Sequence, residues 1–134
     1  MTAIFTGILS ENISAIWPQA EQLIEKGLEE GGSLEQIYSK LLHRENQLWA
    51  AFENQTMIAA CVTELVTIGE RKVCNVISVG GMGMNGWLGV ALGTIEAWAK
   101  ANECVAMRFP EIRPGWQRAL KNYHITKITL ERAL

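Results

Sequence analysis

Charge is what this chain has least of. Asp, Glu, Lys and Arg make up 19% of its 134 residues, against about 25% in an ordinary soluble domain. Neither sign dominates, and the net charge is −2. That balance excludes the basic footprint of a nucleic-acid binder. Cysteine is sparse: Cys61, Cys74 and Cys104 are scattered and form no C-x-x-C. This argues against a disulfide framework or a zinc centre, and for reduced thiols in a cytoplasmic setting. His43 and His124 have no Cys or Asp neighbour that would suggest a triad. Long apolar runs are missing as well. Val73 to Ile95 is weakly charged, but Asn75, Ser78, Asn85 and six glycines interrupt it, so it does not read as a membrane span. Met1 to Leu9 has neither the basic flank nor the apolar core of a signal peptide. There is no repeat, low-complexity tract or Pro/Ser linker, and residues 1–134 are expected to form a single domain.

What is abundant is apolar surface. Hydrophobic residues are 49% of the chain, and five of its ten aromatic residues are tryptophan. After a short apolar run at Ile4 to Leu9, Ile13, Ile16, Trp17, Ala20, Leu23, Ile24 and Leu28 recur at helical steps. Pro18 is tolerated if the regular helix begins near Trp17, and otherwise implies a kink. Gly31-Gly32 ends this helix, and Ser33 to Gln36 reads as the capping box of a second one. Gln47 to Phe52, Met57 to Ile68 and Lys72 to Val79 then read as an antiparallel meander, turning at Asn54-Gln55 and Gly69 to Arg71.

A Gly-rich loop follows from Gly80 to Gly86. The next helix carries Trp87, Val90, Ala91, Ile95 and Trp98 and is expected to be buried on several sides. Cys104 to Phe109 reads as a strand, Arg113 to Asn122 as a brief helix and Ile125 to Leu130 as a closing strand. The expected fold is α/β, a mixed sheet with the order β-α-α-β-β-β-α-β-α-β.

A glycine turn between a strand and a helix suits an anion, because unpaired N–H groups and the positive dipole end face it. Gly81 to Gly86 spells G-x-G-x-x-G. A dinucleotide fold would need that motif in an early βαβ unit, with an acid about 20 residues further on. Here it follows a meander, and Ala106, Met107 and Arg108 stand where the acid belongs. No Gly-Lys-Ser/Thr follows to make a nucleotide-triphosphate loop.

With this element order, Ser78-Val79-Gly80-Gly81-Met82-Gly83 resembles the Gln/Arg-x-x-Gly-x-Gly/Ala loop of the GNAT superfamily of acyl-CoA-dependent N-acyltransferases. Ser78 replaces the Gln or Arg. Ala97 to Phe109 resembles that superfamily's ExxAKxxGCxxI stretch, with Asn102-Glu103 in place of the usual Lys/Asn-Gly. The resemblance implies acetyl-CoA or another acyl-CoA as donor, with Val79, Gly80, Gly81, Met82, Gly83, Met84, Asn85 and Gly86 around its pyrophosphate. It implies no metal.

More narrowly, the chain is similar to small tailed-phage and prophage proteins of this fold. The matching pieces are Gln47-Leu48-Trp49, Val62-Thr63-Glu64, Gly80-Gly81, Trp87-Leu88, Glu96 to Ala99 and Arg113 to Arg118.

Acyl transfer to an amine needs a base, oxyanion donors and an acid for the leaving thiolate. Glu64 shares the strand parity of Ile58, Val62, Val66 and Ile68, which makes it a candidate base. Pairing with a basic residue, or solvent at a sheet edge, is the plainer explanation of it. Glu70, at a turn, is a second candidate. The superfamily's usual Tyr would align with Leu120, and Tyr123 is the nearest phenol. Arg113, Arg118 and Lys121 beside Trp116 offer either an anion-binding edge or a solvated face.

Two functions follow. One is a phage-encoded acyl-CoA-dependent N-acyltransferase of the host cytoplasm, acting on a small-molecule or peptide amine. The other is a non-catalytic phage accessory or virion protein that uses the scaffold for assembly, as a homo-oligomer or with a phage protein partner. Neither involves nucleic acid or a membrane.

Overall fold

The computed structural model describes residues 4–26, 28, 32–81 and 84–109. Along them run β1 (Ile4–Ile8), a 3-10 turn (Ser10–Asn12), α1 (Ile13–Lys26), α2 (Leu34–Leu42), β2 (Gln47–Glu53), β3 (Thr56–Ile68), β4 (Arg71–Gly81), α3 (Met84–Ala101) and β5 (Ala106–Arg108). The expected order holds through β5. The helix and strand expected after Phe109 lie outside the described residues. The sheet order is β1-β2-β3-β4-β5. All neighbours are antiparallel except β4 and β5, which are parallel and joined through α3. Among the described residues, no helix is long and apolar enough to cross a membrane.

Local chemistry sets these boundaries. Ser33 caps α2, its hydroxyl accepting the Gln36 N–H at 3.2 Å. Asn54 and Gln55 both take positive φ, 52° and 68°, as the central pair of a type I′ hairpin must. Three boundaries differ from the sequence expectation. α1 ends at Lys26, ahead of the stop expected at Gly31-Gly32, and of the two readings open for Pro18 it takes the one with the proline inside the helix. The carbonyl that Pro18 cannot serve belongs to Ser14, and both residues are exposed, so the site is open to solvent. α3 begins at Met84, so the expected loop is shorter than its glycines suggest. Cys104 and Val105 precede β5 rather than opening it.

The sheet buries apolar side chains on both faces. One core joins Leu48, Ala50, Ala60 and Val62 to Ile13, Ala20, Leu23 and Ile24 of α1 and Ile37 and Leu41 of α2. The other joins Trp49, Ala59, Cys61, Cys74, Val76 and Val79 to Ala91, Ile95 and Ala99 of α3. α3 was expected to be buried on several sides. Instead Gly89, Val90, Gly93, Thr94, Ala97 and Lys100 are exposed. Small residues make up most of that face, with Val90 exposed among them.

Trp49 organises the α3 side. It stacks on Phe5 with centroids 5.8 Å apart and meets the edge of Trp98 at 5.2 Å. Its buried Nε1 donates to Thr63 Oγ1 at 3.0 Å, and Thr63 donates onward to Gln47 Oε1 at 2.9 Å. Thr63→Val keeps the volume but strands a buried indole N–H. Chemical denaturation should show it less stable than the parent by ~1–3 kcal/mol.

Gly81 closes β4 at φ 149°. A Cβ there would lie 2.5 Å from Ala59 Cα and from the Ile58 carbonyl oxygen, both backbone. Gly81→Ala should therefore cost ~1–3 kcal/mol in the same measurement.

Candidate functional site

β4 is held unequally along its two edges. It pairs with β3 along its length, from Ile68↔Arg71 to Ala59↔Gly81. Its pairing with β5 runs only from Val73↔Ala106 to Asn75↔Arg108. The register with β3 shifts at Val62 and Thr63, which face Ser78 and Val76 and leave Ile77 as an extra residue. Such a bulge bends and twists its strand. It lies two residues beyond Asn75, where the pairing with β5 stops. Among the described residues, nothing pairs with that edge of β4 from Val76 to Gly81.

This edge leads to the glycine segment. Val79, Gly80 and Gly81 form the end of β4, and Met84, Asn85 and Gly86 form the first turn of α3. Met82 and Gly83 lie outside the described residues. A strand end followed almost at once by a helix start brings two kinds of free N–H group together: those of the unpaired strand edge and those of the first helical turn. An anion with several oxygens fits that combination, because the helix dipole and the N–H groups act together on it.

At the other end of the opened edge is a polar row. Ser78 donates from its hydroxyl to the Ile24 carbonyl of α1 at 3.3 Å, which fixes the face of β4 that looks toward α1 and α2. Cys74, Val76 and Met107 pack on the opposite face with α3. Alternation then puts Asn75 on the α1/α2 face. Its cross-strand partners Glu64 and Arg108 share that face.

Glu64 is half-buried and engaged. Lys40 of α2 donates to its Oε2 at 3.2 Å. The buried Asn46, with its amide nitrogen turned toward the acceptors, donates to the same oxygen at 2.9 Å and to the Glu45 carbonyl at 3.1 Å. Pairing with a basic residue, one of the three readings open in the sequence, is the arrangement found. Asn75 differs: its Oδ1 is buried and, among the described residues, has no hydrogen-bond partner. Sequence reasoning passed over Asn46 and met Asn75 only as a polar interruption of the run from Val73 to Ile95. The available signal was a lone Asn in the strand Lys72 to Val79, where its type is disfavoured.

The other candidates are structural or undescribed. Burial pushes the Cys74 thiol up to about 12 and raises Cys61 further. Both remain neutral thiols on the α3 face and make poor nucleophiles. His43 closes α2, with Nδ1 donating to the Ser39 carbonyl at 2.7 Å. Glu70 is exposed in the β3–β4 turn, far along the strand from the glycine segment. Tyr123, Leu120, His124 and the Arg113, Trp116, Arg118 and Lys121 group lie outside the described residues. Among the described residues, no group of three His, Cys, Asp or Glu side chains could hold a metal ion.

No family model matches the sequence, and neither does any curated protein. Solved structures do match in shape. The chain is similar to a ribosomal-protein-alanine N-acetyltransferase from Brucella melitensis biovar Abortus 2308, with a TM-score of 0.69 and 6% identity. That match covers 100% of this chain and 99% of the other. It is similar to a predicted acetyltransferase with acetyl-CoA from Clostridium acetobutylicum, with a TM-score of 0.65 and 16% identity over 99% and 96% of the two chains. A GNAT family acetyltransferase from Staphylococcus aureus subsp. aureus USA300_TCH1516 matches with a TM-score of 0.68 and 11% identity over 100% and 99%. At these identities the likeness speaks to architecture. The mixed sheet, its parting β4 and β5 and the helix that joins them give this chain the fold of the GNAT acetyltransferases.

Proposed function

We propose that this chain is an acyl-CoA-dependent N-acyltransferase whose donor lies along the freed edge of β4. The observation that carries the reading is the end of the β4–β5 pairing at Asn75↔Arg108, with the glycine segment at the far end of the same edge. From Asn75 to Gly80 the strand spans about 17 Å at roughly 3.3 Å per residue, the scale of an extended pantetheine arm. The backbone of Val79 to Gly81 and of Met84 to Gly86, with Met82 and Gly83 between, would hold the pyrophosphate. The outward N–H and C=O groups of Val76 to Gly81 would pair with the amides of the arm. The neighbour solved with acetyl-CoA supports the choice of donor.

When bound, acyl-CoA supplies a thioester. In the overall exchange the amine nitrogen joins the acyl carbon, the carbon–sulfur bond breaks, and one proton passes from nitrogen to sulfur. Glu64 is the carboxylate on the face where the strands part, and Lys40 and Asn46 fix its position. It is the candidate base, with the amine's proton reaching it directly or through one water. Tyr123 is the candidate acid. The acceptor is a small-molecule or peptide amine. The spaced likeness to phage and prophage proteins supports a phage-encoded enzyme acting in a host cytoplasm.

Calorimetry with acetyl-CoA tests the reading. The protein should bind it. Gly83→Asp, which sets a carboxylate against the pyrophosphate, should weaken binding at least tenfold, about 1.4 kcal/mol. Absence of binding heat with the parent protein at millimolar acetyl-CoA would contradict the proposal.

A further inference from the structure

A buried acceptor without a donor is a rare thing to keep. Most buried polar side-chain atoms are paired, and leaving one unmade forfeits its hydration with nothing in return. Asn75 Oδ1 is such an atom. Its neighbours in the cross-strand row are Glu64 on β3 and Arg108 on β5. Glu64 does not satisfy it, since a carboxylate offers no proton, and neither Arg108 nor Lys40 donates a hydrogen bond to it. The orphan therefore stands beside a satisfied carboxylate, at the vertex where β4 leaves β5. Two acceptors side by side call for a ligand rich in N–H donors. A primary ammonium has three and the neutral primary amine two, either of which is enough to serve a carbonyl oxygen and a carboxylate at once.

We propose that Asn75 Oδ1 is the positioning group for the acceptor amine, taking one N–H while Glu64 takes another. The inference rests on the acyltransferase reading and adds to it the residue that orients the incoming nitrogen. A carbonyl acceptor holds one N–H without removing it. That steers the nitrogen lone pair toward the donor edge of β4 and leaves proton removal to the carboxylate. It also selects against tertiary and quaternary amines, which lack the N–H groups to bridge both oxygens. Asn is a better choice here than a second carboxylate, because two adjacent buried carboxylates would repel each other and hold a proton between them.

The test uses the whole protein, with methylammonium as the probe amine and tetramethylammonium as a cation without N–H groups. In nitrogen-15 NMR titrations, methylammonium should shift the Asn75 side-chain amide and the backbone amides of Glu64 and Arg108. Tetramethylammonium should not. Asn75→Leu, which removes the orphan at similar volume, should abolish the Glu64 and Arg108 shifts without lowering Tm. Equal response to both cations would overturn the proposal. So would retention of the shifts in Asn75→Leu, or a fall in its Tm, which would mark Asn75 as a structural residue. Calorimetry with acetyl-CoA on the parent protein separates the two claims. A methylammonium response without acetyl-CoA binding sinks the acyltransferase reading and leaves the amine pocket. Acetyl-CoA binding without a methylammonium response sinks the pocket alone.

Discussion

The extra residue at Ile77 governs how β4 is used. Before it, β4 is an interior strand, bonded to β3 on one side and to β5 on the other. After it, β4 keeps β3 and parts from β5. A bulge does this by adding a residue on one strand without adding one on its partner, which bends the strand and increases its local twist. β3 follows β4 through the bend because the two share the hairpin at Gly69-Glu70. β5 arrives through α3 and is free to diverge. Among the described residues nothing pairs with the freed edge, and a row of unmet backbone groups inside a sheet is costly unless something pairs with it. The candidate site is the place where that cost is exposed.

Packing on both faces holds the bend in place. On one side, Ser78 ties β4 to the Ile24 carbonyl of α1, and Val62 opposite it is fully buried. On the other, Val76 and Val79 bury against α3 with Trp49. The bulge lies between these anchors. Gly81 then ends the strand in a conformation and a space that admit no side chain. The polar row and the glycine segment are thus set at fixed separation on one strand, which suits a long ligand with an anionic head and a reactive tail.

Most of the architecture was legible in the residues because it follows from period. The stripe from Ile13 to Leu28, the capping serine at Ser33 and the turns at Asn54-Gln55 and Gly69-Glu70 each have a local cause. Local reasoning failed where the cause was tertiary. Pro18 left open whether the helix starts there or runs through it, and an exposed Ser14 at its carbonyl position lets the helix run through. Glycines at 80 to 86 looked like one loop, yet Gly80 and Gly81 are strand and Met84 begins a helix. The apolar look of α3 suggested burial, where small residues merely leave one face bare. The candidate site was half legible. Glu64 stood out by parity, and the strand–glycine–helix order placed the anion end. Asn46 and Asn75 did not, because a single Asn in a strand carries no period. Its meaning appears only when register sets it beside Glu64 and Arg108.

The central claim is that β4, freed from β5 beyond Asn75, is the docking edge for an acyl-CoA. Hydrogen exchange on the native protein with and without saturating acetyl-CoA tests it directly. The account predicts slowed exchange at those amides between Val76 and Gly81 that do not bond to β3, together with the first turn of α3, and little change in β1 or β2. Exchange at that edge left unchanged by acetyl-CoA, with protection arising elsewhere or nowhere, would contradict it.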